Sequence, residues 1–304
     1  MKVFINNIDE NWIVDRLRKE FYEDNQDILT NNIKDADILW IIAPWTWKKI
    51  PKRFLKQKTV LCTIHHIDEK KFIGDEGKDF YKLDKFVDYY HTISKKSFDQ
   101  LSKFTSKRIY VSPFWINNKI WFPISENKDL KSKFSIPGDA YIVGSFQRDT
   151  EGKDGISPKL SKGPDQLFEI IKAISEQKNL FVILAGHRRT YLINLLEENN
   201  VPYKYYERVD QASLNELYNC LDLYIVSSRV EGGPQAIFEC ALSKTPIIST
   251  DVGVASEILS KNSIFDMNNF AMAKPDIEVA YANSQQYLIP KGYESFINLF
   301  EEIL

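Results

Sequence analysis

"SSRVEGGPQAIFECALSKTPIIST" (residues 227–250) opens like the end of a buried strand and closes like the start of another. Between them stand Glu231, Gly232, Gly233 and Pro234, then a helical stretch carrying a second acid, Glu239. Glycines directly behind a strand let the backbone approach a ligand closely. Proline suits the first helical position, because the N–H it lacks would go unpaired there anyway. The segment therefore reads as strand, tight turn and helix start, with backbone donors facing outward. Such a corner suits an anion, a phosphate above all. One exposed helix terminus contributes only about 0.3–1 kcal/mol, so a diphosphate needs side-chain cations as well. Taken alone, the stretch reads equally as a tight connection with two solvated acids.

Cations stand upstream: Arg148 in "GSFQRD", Lys162 in "KLSKGPD", and Arg188 with Arg189 in "AGHRR". They fall within an alternation of short apolar runs and helical stretches, the pattern of parallel sheets with crossover helices. The strand candidates are "KVFINNI", "DILWIIAP", "TVLCTIHHI", "YYHTIS" and "RIYVSPF", then "AYIVGSFQ", "LFVILAG", "YKYYERV", "LDLYIVSSR" and "TPIIST". Helical stretches such as "NWIVDRLRKEFYE", "PDQLFEIIKAISEQ" and "SLNELYNC" lie between them. Ser213 and Glu216 have capping-box spacing and predict a helix start at Ser213. Polar and proline residues break the pattern over residues 112–139. Two doubly wound α/β domains are expected, over residues 1–118 and 119–290, with a final helix over 291–304 packing back on the first. Such sheets bind ligands at the carboxyl ends of their strands, so the cleft between the domains is the expected site.

The 304 residues are 43% hydrophobic and 27% charged, ordinary for a globular protein. A formal net charge of -2 argues against a general nucleic-acid binder. Cys62, Cys220 and Cys240 sit singly in apolar runs and read as buried reduced thiols, which fits a cytoplasmic protein. No Cys/His cluster has zinc spacing, and no apolar run is long enough to span a bilayer. The opening "MKVFINN" enters a strand-like run without a leader-type apolar region. A nicotinamide dehydrogenase is disfavoured, since no strand is followed by G-x-G-x-x-G.

The ordered set of motifs resembles the retaining GT-B glycosyltransferases, family four in particular, whose mark is an E-x7-E segment. "SSRVEGGPQAIFECALSKTPIISTDVGVASEIL" carries the resemblance, supported upstream by "LNELYNCLDLYIVSSR", "LFVILAG" and "YIVGSFQRD…SKGPDQLFEII". It is strong over residues 141–259 and weaker before residue 110, where "VLCTIHHID" and "HTIS" carry it. The resemblance implies transfer of a sugar from a nucleotide-sugar donor to a glycan or lipid-linked acceptor, with no metal or other cofactor, in the building of surface polysaccharide or glycoconjugate. It implies that Glu231 lies beside the donor sugar and that Glu239 accepts hydrogen bonds from ribose hydroxyls. The amides of Gly232 and Gly233, followed by Pro234, would meet phosphate or sugar oxygens, with Ser228 and Gly186 also at the donor. Arg148 and Lys162 would neutralise the leaving diphosphate. His65 matches a histidine near the sugar, though a strand-end histidine satisfied by the protein is the other reading. His66, the next residue on the strand, should point the opposite way. After "LAG", Arg188 is preferred over His187 as the nucleotide contact.

Two departures qualify the match. Residues 149–161 separate Arg148 from Lys162, so Lys153 or Lys159 could take a cation's place. The turn is "EGGPQ" rather than glycine–aromatic–glycine. The "DAD" at Asp35 to Asp37 precedes a strand and reads as a polar turn rather than a metal site. "PWTWKKIPKRFLKQK" places six basic residues and no acid between Lys48 and Lys58, behind Trp45 and Trp47. It reads either as a solvated face with tryptophans packed beneath it or as peripheral contact with an anionic membrane. The alternative functions are a non-catalytic GT-B scaffold that binds sugar nucleotides, and a nucleotide-sugar epimerase.

Overall fold

The computed structural model describes residues 1–7, 13–125 and 128–304. Ile8, Asn11 and Trp12, which the strand and helix readings near the N-terminus include, lie outside them, as do Glu126 and Asn127 of the pattern break. The chain forms two compact units, residues 1–115 with 286–304, and residues 116–285. No helix among the described residues is long and apolar enough to cross a membrane.

The first unit is built on five parallel strands lying side by side in chain order: β1 (Val3–Ile5), β2 (Ile38–Ile41), β3 (Thr59–Ile64), β4 (Tyr89–Thr92) and β5 (Ile109–Val111). A parallel bridge from Val3 to Leu29 adds chain on the other side of β1, so the winding runs both ways from that strand. Alternate residues face opposite layers, as the period of a strand requires. Val3, Ile5, Ile38 and Trp40 meet the helices Ile13–Asp24 and Glu294–Ile303. Leu39, Ile41, Val60 and Cys62 meet Trp47, Phe80 and Leu83. The closing helix carries Phe296, Leu299, Phe300 and Ile303 as a stripe at three- and four-residue spacing, all buried in this unit.

The second unit contains β6 (Tyr141–Ser145), a hairpin of β7 (Thr150–Glu151) and β8 (Ser157–Pro158), then β9 (Leu180–Ala185), β10 (Tyr203–Tyr206), β11 (Leu223–Val226), β12 (Ile247–Thr250) and β13 (Ile264–Phe265). Its parallel sheet has the order β10-β9-β6-β11-β12-β13, so the winding reverses between β6 and β11. That reversal opens a crevice at the carboxyl ends of those two strands. Val143, Val182, Leu184, Leu223 and Ile225 pack against Leu167 and Ile171 of the helix Pro164–Ser175 and Leu192 and Leu196 of the helix Thr190–Glu198.

Three local expectations shift. The helix expected from Ser213 spans Gln211–Asn219, and its cap is Asp210, whose Oδ1 accepts from the Ser213 amide at 2.7 Å. An aspartate caps as well as a serine does, and Glu216 is spent on an ion pair with Lys133 instead. Pro234 is the cap of the helix Gln235–Ser243, one position before the first helical residue. Strand β3 ends at Ile64, so His65 and His66 lie beyond it and strand alternation does not fix their directions.

Candidate functional site

Two loops meet at the reversal in the second unit, one following β6 and the other following β11. Ser228, buried two residues beyond the end of β11, donates from Oγ toward Gln147 Oε1 and Glu231 Oε1, each at 3.2 Å. Gln147 Nε2 in turn donates to the Lys162 carbonyl at 3.1 Å. Lys162 Nζ makes an ion pair with Glu231 Oε1, both side chains being largely buried. Gln147, Lys162, Ser228 and Glu231 are thus drawn to one corner, although residues 148–161 separate Gln147 from Lys162 in sequence.

The backbone beneath this corner is laced tightly. The amides of Arg229 and Val230 both donate to the Ser161 carbonyl, at 2.8 and 3.0 Å. Arg229 holds Asp165 through two bonds of 2.7 and 2.6 Å, and those bonds keep the Asp165 carboxyl below its usual range. Gln166 Nε2 donates to the Ser227 carbonyl at 2.7 Å. Gly163 has φ +60°, and a Cβ there would stand 1.9 Å from the Ser227 carbonyl oxygen. Gly253 has φ +50°, and its Cβ would stand 2.1 Å from the Gly232 oxygen. Close approach of neighbouring backbone therefore requires glycine at 163 and 253, positions the sequence reading passed over. Among the described residues, none accepts a hydrogen bond from the N–H of Gly232 or Gly233. The helix Gln235–Ser243 begins there without a side-chain cap, so unpaired donors collect at the corner.

Glu239 lies one turn into that helix and is 6% exposed. Its Oε2 accepts the Tyr218 hydroxyl at 2.8 Å. Burial, with Glu239 second, raises the Tyr218 phenol well above its ordinary pKa, so it stays a donor. Tyr218 is itself clamped by Phe146, Tyr224 and Trp121, with ring centroids 4.8, 5.3 and 5.7 Å away. Tyr218 and Gln147 are partners that sequence reasoning missed. Gln147 was legible as the neighbour of Arg148 at a strand's carboxyl end, but an amide carries no charge to draw notice.

The two arginines of "AGHRR" part company. Arg188 has φ +59° and an exposed side chain, while Arg189 is 1% exposed. Arg189 donates from Nε to Asp149 Oδ2 at 2.6 Å, and from Nη1 to the carbonyls of Ser145 and Ala185 at 2.6 and 3.0 Å. It is a structural tie between the ends of β6 and β9 and is not available to a ligand. Arg148 donates from Nε to the Thr150 carbonyl at 2.7 Å, and burial followed by the charge of Arg188 lowers its pKa. His187 is exposed and pairs with Glu207 through Nδ1 at 2.8 Å. Gly186, at φ +94°, gives its amide to the Tyr206 carbonyl and receives the Tyr205 hydroxyl. Lys153 is exposed in the turn of the hairpin.

In the first unit, His65 is half-buried and donates from Nε2 to the Ile42 carbonyl at 2.8 Å. Its ring lies 5.9 Å from Phe114 and 5.7 Å from Trp45. Burial lowers its pKa to about 4, which keeps the imidazole neutral near pH 7. His66 is exposed. A second histidine, His91, was passed over. It is fully buried, donates from Nε2 to the Ser112 carbonyl at 2.9 Å and faces Thr63 Oγ1 through Nδ1 at 3.1 Å. Burial lowers its pKa to about 3.

Asp35 and Asp37 lie in a turn before β2: Asn32 donates to Asp35 Oδ2, and the Lys2 amide donates to Asp37 Oδ2, each at 2.8 Å. In the basic aromatic stretch, Trp47 is 6% exposed and donates to Asp79, which also pairs with Lys48. Trp45 is 45% exposed, and Lys49, Lys52, Arg53 and Lys56 are exposed around buried Phe54 and Leu55.

Comparison with known proteins bears on this geometry. The model of the family "Glycosyl transferases group 1" matches residues 157–296. No curated protein matches the chain in sequence. Among solved structures, the Anabaena protein HepE in complex with UDP-glucose is similar over 99% of both chains, with TM-score 0.75 and 12% identity. A sucrose-phosphate synthase from Thermosynechococcus elongatus is similar over 98% of this chain and 80% of its own, with TM-score 0.70 and 15% identity. TarM is similar over 88% of this chain and 54% of its own, with TM-score 0.61 and 16% identity. The fold is GT-B, two Rossmann-like units each built on a parallel sheet, and the family match supports a glycosyltransferase.

Proposed function

We propose that the protein is a retaining, metal-independent glycosyltransferase that moves a sugar from a nucleotide sugar to a glycan or lipid-linked acceptor. The observation that carries this reading is the convergence at the reversal of the second sheet. Lys162, Glu231, Ser228 and Gln147 are joined there beside the unpaired amides of Gly232 and Gly233. Amides and cations around a corner suit a diphosphate, and a carboxylate among them suits sugar hydroxyls. UDP and UDP-glucose are bound by the similar Anabaena protein, which favours a nucleotide sugar as donor.

In this reading Glu239 receives the ribose hydroxyls, with Arg188 close to the nucleotide, and Glu231 lies against the sugar. The bond from the anomeric carbon to the diphosphate breaks while the acceptor oxygen bonds on the same face, and the acceptor proton passes to the departing phosphate. Charge grows on the diphosphate as it leaves. Arg148 and Lys162 are already fixed, so they stabilise that charge without reorganisation. His65, neutral and donating to Ile42, is assigned to the sugar side as a polar neighbour rather than a base. Surface polysaccharide or glycoconjugate synthesis is the setting proposed, and the buried thiols of Cys62, Cys220 and Cys240 fit a reducing cytoplasm. The exposed cations around Trp45 are assigned to transient contact with an anionic membrane surface, which flotation with anionic vesicles at low salt tests directly.

Calorimetry and transfer assays test the central reading. Glu239→Ala should weaken nucleoside diphosphate binding at least tenfold, whereas Glu231→Ala should bind nucleotide nearly as before and lose most transfer. Equal and small effects from both substitutions contradict the assignment.

A further inference from the structure

We infer that Lys159 is a third cation of the diphosphate site, and that it meets phosphate charge which Lys162, paired to Glu231, does not meet alone. The inference rests on the nucleotide-sugar reading of the second unit. It concerns residues 149–161, the stretch that separates Arg148 from Lys162 in sequence.

That stretch is a hairpin returning the chain to its start. Thr150 pairs with Pro158 and Glu151 with Ser157. The Lys159 amide then donates to the Asp149 carbonyl at 2.7 Å, which sets Lys159 beside the residue that follows Arg148. One further turn, closed by the Lys162 amide on the Lys159 carbonyl at 2.8 Å, delivers Lys162. The root of the hairpin is fixed from below. Arg189 holds the Asp149 carboxylate, and the amides of Asp149 and Thr150 both donate to the Arg188 carbonyl. Folding the insertion therefore brings a third cation to the pair instead of pushing the pair apart.

The charges at this corner differ in their partners. Lys162 has the Glu231 carboxylate, and Arg148 gives its Nε to a carbonyl. Lys159 is half-buried, and among the described residues no carboxylate forms an ion pair with it. Burial favours its neutral form most, then the charges of Lys162 and Arg148, while Glu151 and Glu231 oppose them. A half-buried ammonium near two like charges costs free energy unless an anion offsets them. A diphosphate placed among the three cations removes that cost, so the repulsion becomes affinity for a polyanion. A nucleoside, or a monophosphate reaching only part of the cluster, gains less.

Calorimetry with UDP, GDP and ADP, and with the corresponding monophosphates, tests the inference on the full chain. Lys159→Met should lower affinity for the bound diphosphate tenfold or more and for its monophosphate less than threefold. Lys159→Arg should restore most of the loss, and Lys153→Met, at the hairpin's exposed turn, should change nothing. Because a repulsion is removed, Lys159→Met should melt no lower than the parent chain, which separates a binding effect from misfolding. Diphosphate binding by Lys159→Met within twofold of the parent, or equal losses for mono- and diphosphate, overturns the inference while leaving the nucleotide reading in place. A parent chain that binds none of these nucleotides defeats that reading itself, and this inference with it.

Discussion

The Tyr218 hydroxyl donates to Glu239 Oε2 at 2.8 Å, inside a cluster in which Phe146, Trp121 and Tyr224 hold the phenol in place. The second acid of the E-x7-E segment is therefore oriented by a side chain 21 positions away in sequence. A carboxylate fixed in advance offers its remaining lone pairs to a ligand without losing rotamer freedom on binding.

Tyr218→Phe removes that donor from a buried carboxylate, which costs about 1–3 kcal/mol of stability. Nucleoside diphosphate affinity should fall severalfold, with the turnover number changing less than KM. Urea denaturation and steady-state kinetics check both. Unchanged affinity in a fully folded variant contradicts a positioning role.

Arg189→Met strips the Asp149 carboxylate of its buried cation. Removing one member of such a pair costs about 3–5 kcal/mol, because the other charge remains in a poorly solvated place. The urea midpoint should fall accordingly, and amide exchange at Thr150 and Lys159 should accelerate as the hairpin root loosens. A loss below about 1 kcal/mol would mean that the pair is not the tie described.

Gly253→Ala forces a Cβ into the Gly232 carbonyl at a left-handed φ of +50°. The strained backbone costs about 1–3 kcal/mol, and any relief displaces the Gly232–Gly233 peptide. Loss of nucleotide affinity should therefore accompany the loss of stability. Gly138→Ala is the control, since a Cβ there meets nothing within 4 Å. Equal behaviour of the two variants in thermal melts counts against the close packing of these turns.

His65 and His91 have folded pKa values lowered from 6.5 to about 4 and about 3. Below pH 6.5 the unfolded chain takes up protons that the folded chain refuses, so stability falls as the pH drops. Each histidine contributes a slope of up to about 1.4 kcal/mol per pH unit in that window. The loss from His65 levels off near pH 4 and that from His91 near pH 3. Urea midpoints at pH 7, 5.5 and 4.5 should decline in step, and His91→Gln should flatten the decline. Proton resonances assigned to the His65 or His91 imidazole that titrate near pH 6.5 in the folded protein would sink this expectation.

Much of the fold is legible from local pattern alone. Apolar runs of strand length alternate with stripes at helical spacing, as in the helix that carries Phe296, Leu299, Phe300 and Ile303, and both periods follow from backbone geometry rather than context. The corner at Glu231 is legible for the same reason, since glycines and a proline between a strand and a helix restrict the chain locally. Helix starts were less so: Asp210 and Ser213 both suit a cap, and which one serves depends on what Glu216 can reach.

What tertiary structure alone decided is which charge meets which. Arg188 and Arg189 are neighbours of the same residue type. The left-handed backbone at Arg188 and the carboxylate of Asp149, 40 positions from Arg189, leave one in solvent and bury the other. Lys162 finds Glu231 across 69 positions only because β6 and β11 are adjacent where the winding reverses. Lys159 joins them because the hairpin folds back on Asp149. Sequence fixes the periods that build each sheet and the types of charge it carries. Coulomb interactions fall off with distance in space, not along the chain, so the pairing of those charges waits on the fold.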